Sequence, residues 1–102
     1  MLEKLEEVEA KYLKLTEELS NPEVISQQER YRKLAKEHSD LEPIVECFRQ
    51  WKKISGELGD AKEMLKDSSD DELKELARAE ADALDLEKEE LRKKLLALLI
   101  PK

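Results

Sequence analysis

Apolar residues recur along the chain at intervals of three and four, the spacing that places them on one face of an α-helix. Over residues 1–20 they are Leu2, Leu5, Val8, Tyr12, Leu15 and Leu19, with Glu and Lys between them. Asn21 and Pro22 end this run, because Pro22 has no amide donor and its ring excludes the helical conformation from the residue before it. A second helix is predicted from Ser26, where Ser26 and Glu29 have the S-x-x-E spacing of a capping box. Its stripe reads Tyr31, Leu34, His38, Leu41, Val45, Phe48, Trp51, Ile54, Leu58, Ala61 and Leu65. Pro43, Gly56 and Gly59 fall inside this run, yet the apolar phase survives all three. The pattern therefore predicts one bent helix over 26–66, kinked rather than broken at Pro43. Asp67, Ser68 and Ser69 form the second turn, and Ser69 with Glu72 repeats the capping-box spacing. The third predicted helix, 69–99, carries Leu73, Ala77, Ala81, Leu84, Leu91, Leu95 and Leu98 on one face, interrupted at Lys88. Asp70, Asp71 and Glu72 open it, and Arg92, Lys93 and Lys94 lie near its end, matching the helix dipole at both termini.

Two short turns make the first helix antiparallel to the first half of the second, and the third antiparallel to the second half. The predicted fold is all-α: an elongated antiparallel three-helix, coiled-coil-like bundle with a long kinked central helix. Near its middle the stripe slips, with steps of three from Phe48 to Trp51 to Ile54. Ile44, Val45, Cys47, Phe48, Trp51 and Ile54 then cover a wide arc, which requires cover from two sides. Trp51 is expected to be largely buried where the helices meet.

Composition sharpens this picture. With 44% charged and 4% aromatic residues, the chain would lean towards disorder if its apolar positions were scattered instead of periodic. Two glycines and three prolines leave little of the punctuation that β-hairpins need. At 102 residues there is room for one domain with a thin core. The net charge of −7 opposes phosphate, so strong direct nucleic-acid binding is not expected. Arg30, Arg32, Lys33 and Lys36 form a cationic cluster at the start of the second helix, read here as a solvated face that an RNA backbone could touch. Cys47 is alone, which excludes an internal disulfide and fits a reducing cytosol. Residues 1–20 show neither a signal peptide nor an apolar span, so a cytoplasmic protein without a membrane partner is expected.

Candidate chemistry is sparse. His38 and Cys47 are the only pair that could make a nucleophile and its base, and nine residues apart on one helix they point to opposite sides. His38 is expected to pack on the apolar stripe and Cys47 to act as a small buried hydrophobe. The carboxylates alternate with lysines at i, i+4, as in Glu7 with Lys11, Glu29 with Lys33, Glu89 with Lys93 and Glu90 with Lys94, which marks solvated helix faces. No P-loop, glycine-rich loop or histidine pair at metal-ligand spacing occurs. The expected set of catalytic, cofactor-binding and metal residues is therefore empty, and the chain is not expected to be an enzyme.

Three segments carry a resemblance: the opening Met1–Tyr12 (MLEKLEEVEAKY), the turn Asn21–Ser26 (NPEVIS), and Tyr31–Val45 (YRKLAKEHSDLEPIV) in the second helix. Together they resemble the N-terminal helical domain of the bacterial peptide chain release factor 1 family, and the ending Leu95–Lys102 (LLALLIPK) resembles the point where that family leaves its first domain. Ile25 stands where the sister family, release factor 2, usually has a tryptophan, whereas Gly56 and Gly59 depart from a more charged, helix-favouring pattern. The resemblance implies a domain spanning 1–102 of a translation termination factor that enters the ribosomal decoding site, recognises UAA and UAG, and promotes peptidyl-tRNA hydrolysis. It implies as partners the ribosomal stalk-base region and the class II release factor GTPase that recycles the factor. The family's Gly-Gly-Gln and Pro-x-Thr tripeptides are absent: no two glycines are adjacent, and the only threonine is Thr16. The competing reading is a generic acidic helical spacer or scaffold with no ribosomal role.

Overall fold

The computed structural model describes residues 1–101; Lys102, the last residue of the quoted ending, lies outside them. It contains α1 (Leu2–Leu19), α2 (Pro22–Ile25), α3 (Gln28–Asp67) and α4 (Asp71–Leu99), and the described residues include no strand. The chain divides into two compact units, one over Met1–Glu46 and one from Cys47 onward. The fold is all-α, with a long central helix.

In the first unit, Pro22 both ends α1 and begins α2. A proline is tolerated at the first helical position, where its missing amide would have no partner, and Asn21 caps the turn by accepting from the Glu23 amide at 3.0 Å. This one-turn helix buries Val24, which is 1% exposed. The predicted Ser26–Glu29 capping box does not form. Ser26 is consumed at the end of α2, where its hydroxyl donates to the Glu23 carbonyl at 2.8 Å, and α3 starts two residues later at Gln28. Leu5, Val8 and Leu15 are the buried positions of α1. Leu2 and Tyr31, at the outer ends of the predicted stripes, are exposed.

In the second unit the latter part of α3 and α4 run antiparallel. Cys47 lies beside Leu91 and Trp51 beside Lys88, while Met64 and Leu73 line one hollow next to the turn. Ile54, Leu58 and Ala61 of α3 form a core with Ala81 and Leu84 of α4, and Leu65 and Leu91 pack against it. The second predicted capping box is also replaced: Asp70, not Ser69, is the N-cap, and its Oδ1 accepts from the amides of Glu72 at 2.9 Å and Leu73 at 3.4 Å. Asp70→Ala is expected to lower stability by about 1 kcal/mol, measured by urea unfolding, whereas Ser69→Ala should leave the midpoint nearly unchanged. At the other end of α4 the dipole expectation fails. No basic residue sits in its last turn, because Arg92, Lys93 and Lys94 lie more than a turn before Leu99, beyond the reach of the terminal partial charge.

α3 itself is continuous through Pro43, Gly56 and Gly59. It holds 40 residues. The expected break-or-kink at Pro43 resolves against a break, and no described residue other than glycine, nor any described glycine, has positive φ.

Candidate interaction surfaces

The cationic cluster at the start of α3 is interleaved with carboxylates. Arg30, Arg32, Lys33 and Lys36 are all exposed, but Arg30 and Lys33 share a shallow hollow with Gln27, Gln28 and Glu29, while Lys36 turns to Asp40 at 3.0 Å. One member is thus paired with a carboxylate, and Glu29 lies in the hollow with two others. At a helical step of about 100° per residue the four share roughly one half of the helix surface.

His38 is partly buried. Its ring stacks on Tyr12 with centroids 4.2 Å apart, and Nε2 is 2.8 Å from the Thr16 hydroxyl, which also donates to the Tyr12 carbonyl. Lys11 pairs with Glu37 on the neighbouring turn of α3, so the i, i+4 pairing expected between Glu7 and Lys11 gives way to a contact between helices. These residues join α1 to the first part of α3, a structural role for the single histidine.

Cys47 is 3% exposed, and its thiol lies 3.8 Å from the Leu91 carbonyl. Burial pushes its pKa up, against a smaller downward pull from Lys94. The thiolate is the reactive form, so the group is held away from nucleophilic chemistry. Alkylation by iodoacetamide at pH 8 is expected to be at least about tenfold slower in the folded chain than in urea. Equal rates by mass spectrometry would contradict the burial.

One helical turn further on, Trp51 has most of its surface covered, as expected, and its Nε1 is sealed from solvent. It is partly exposed, and the fully buried ring of the phase slip is Phe48, at 0% exposure. The two rings stack with centroids 6.2 Å apart, and Lys88 of α4 lies over the indole at 5.2 Å. Lys88, the polar interruption in the α4 stripe, thus faces an aromatic surface that accepts a cation. Trp51 Nε1 and Ser55 Oγ are buried atoms with no hydrogen-bond partner among the described residues.

On α4 the charged side chains pair along the helix. Arg92 binds Glu89 through two bonds of 2.9 and 2.6 Å, which lower the Glu89 carboxyl below its ordinary range and raise the Arg92 guanidinium. Arg92, not Lys93, is therefore the partner of Glu89, since its planar fork matches both carboxylate oxygens. The outer side of α4 also bears Leu76 and Leu86, exposed by 68% and 72%. They lie off the inward apolar stripe, although their spacing is visible in the sequence. Among the described residues no group of three or more His, Cys, Asp or Glu is arranged to hold a metal ion, and no helix is long and apolar enough to cross a membrane.

The PCRF domain family matches residues 8–102. Peptide chain release factor 1 of Solidesulfovibrio magneticus is 50% identical over 102 residues, that of Clostridium botulinum strain Hall 46%, and that of Oceanobacillus iheyensis 44%. Each alignment takes in 100% of this chain but only 28–29% of the relative. No solved structure matches the chain.

Proposed function

Because the chain belongs to the PCRF-domain family, we propose that it is the N-terminal, non-catalytic helical domain, residues 1–102, of a cytoplasmic translation termination factor. The whole factor acts on the ribosome, recognising UAA and UAG and promoting hydrolysis of peptidyl-tRNA. This domain meets the stalk-base region and the class II release factor GTPase. The observation that carries the reading is the end-to-end identity of 44–50% with proteins of that one name, of which this chain matches little more than a quarter. The absence of Gly-Gly-Gln and Pro-x-Thr within the 102 residues supports the division of labour: hydrolysis and codon reading belong to parts of the factor outside them. The acidic surface supports contact with protein ahead of contact with bare RNA.

A chimera tests this. The chain is grafted in place of the corresponding domain of one of the named relatives and assayed on ribosomes stalled at UAA. The chimera is expected to release peptide and to be recycled by the GTPase, while the chain alone releases none above buffer. A chimera that releases peptide but gains nothing from the GTPase would sink the partner assignment and favour a plain helical spacer.

A further inference from the structure

Two apolar stripes run along α4, and only one is used by the core. The inner stripe holds the buried residues Ala77, Ala81, Leu84 and Leu95. The outer one is Leu76, Ala79, Ala83 and Leu86, with successive spacings of three, four and three, the a/d repeat of a coiled-coil seam. All four are exposed. The seam is bounded by Glu72 and Glu90, so it spans about three helical turns, or roughly 15 Å.

The positions that flank an a/d seam set its partner. Here they are Glu75, Glu80, Asp82, Glu87 and Glu89, every one of them a carboxylate and every one exposed. The bases of the same stretch lie elsewhere. Lys74 and Lys88 are on the side opposite the seam, where Lys88 covers Trp51, and Arg78 stands behind the flank beside Glu75 at 3.3 Å. Exposed pairs such as Glu75–Arg78 and Glu89–Arg92 are weak and exchange partners readily. A second copy of the chain, whether parallel or antiparallel, would set carboxylates against carboxylates along both flanks.

We propose that the outer face of α4, Leu76–Ala79–Ala83–Leu86 with its carboxylate flanks, is a docking surface for a cationic amphipathic helix of a partner protein. The two central alanines let the partner's backbone approach closely and leave space for bulky apolar side chains opposite them. Lysines or arginines flanking the partner's seam meet Glu75, Glu80, Asp82, Glu87 and Glu89. The assignment rests on α4 itself and stands whether or not the chain serves in termination.

The probe is a fluorescein-labelled helical peptide of about 21 residues, three heptads long, with Leu at its a and d positions and Lys at e and g. Its comparator carries Glu at e and g. Fluorescence anisotropy against the full 102-residue chain is expected to show the Lys peptide binding at least about tenfold tighter than the Glu peptide. Leu76→Gln with Leu86→Gln should weaken the Lys peptide by about tenfold or more, with helicity by circular dichroism unchanged because both leucines are exposed. Glu80→Lys with Glu87→Lys should shift the preference towards the Glu peptide, and Leu13→Gln, at an exposed leucine of α1, should change nothing. Equal binding of the two peptides, or Lys-peptide binding indifferent to the double leucine variant, overturns the proposal. So does a dimer of the chain in sedimentation equilibrium that Leu76→Gln abolishes, since the seam would then be covered by a second copy.

Discussion

Phe48→Ala is expected to unfold the chain or leave it at the edge of unfolding at room temperature. Phe48 is the largest of the fully buried side chains, at 0% exposure, and one face of its ring is stacked near Trp51. Truncating a buried Phe costs on the order of 3 to 5 kcal/mol, because the transfer energy is lost and a cavity remains. Small domains are stable by only about 5 to 15 kcal/mol, and a thin helical core lies at the low end of that range. Trp51→Ala should cost less, about 1 to 3 kcal/mol, since part of the indole is already in water. Urea unfolding followed by circular dichroism orders the two. A Trp51→Ala variant as damaged as Phe48→Ala would mean that the indole, and not the phenyl ring, anchors this stretch of α3.

The second large effect runs the other way. Gly56→Ala combined with Gly59→Ala is expected to stabilise the chain by about 1 to 2 kcal/mol, roughly half from each site. Both glycines lie in the interior of α3, neither has positive φ, and a Cβ added at either meets nothing within 4 Å. The gain comes mainly from the unfolded chain, which loses backbone freedom when a methyl group is added. For a domain of this size each kcal/mol raises the melting temperature by about 4 to 8 °C, so calorimetry would resolve the double variant clearly. A melting temperature that falls would show that the bare backbone at these positions is needed by a contact outside the chain.

Much of this architecture was legible in the residue pattern. Three- and four-residue spacing located the three long helices to within a few residues, and the unbroken phase across Pro43 foretold that α3 would continue through it. The family resemblance was equally local, carried by the NPEVIS turn and the EHSDLEPIV stretch of α3. Where prediction and structure part, the reason lies in competition between neighbours for the same hydrogen bonds. Ser26 and Glu29 have the spacing of a capping box, but Asn21 and Pro22 nucleate an extra turn that uses the Ser26 hydroxyl first. Ser69 and Glu72 have it too, yet Asp70 stands one residue closer and its carboxylate is the stronger acceptor.

What the sequence determined by itself is therefore what depends on period: the three long helices, the continuity of α3, the inward stripe, and the lack of strand-forming punctuation; the one-turn α2 was not among them. The outer seam of α4 belongs with these, since Leu76, Ala79, Ala83 and Leu86 are spaced as plainly as the inner residues. Only the tertiary structure decided how completely each position of the inward stripe is covered, and which aromatic of the phase slip is sealed from water. Period places a side chain on a face, but burial depends on what packs against that face. Phe48 and Trp51 are three residues apart on one helix; the packing around them closes completely over the first and leaves part of the second in solvent.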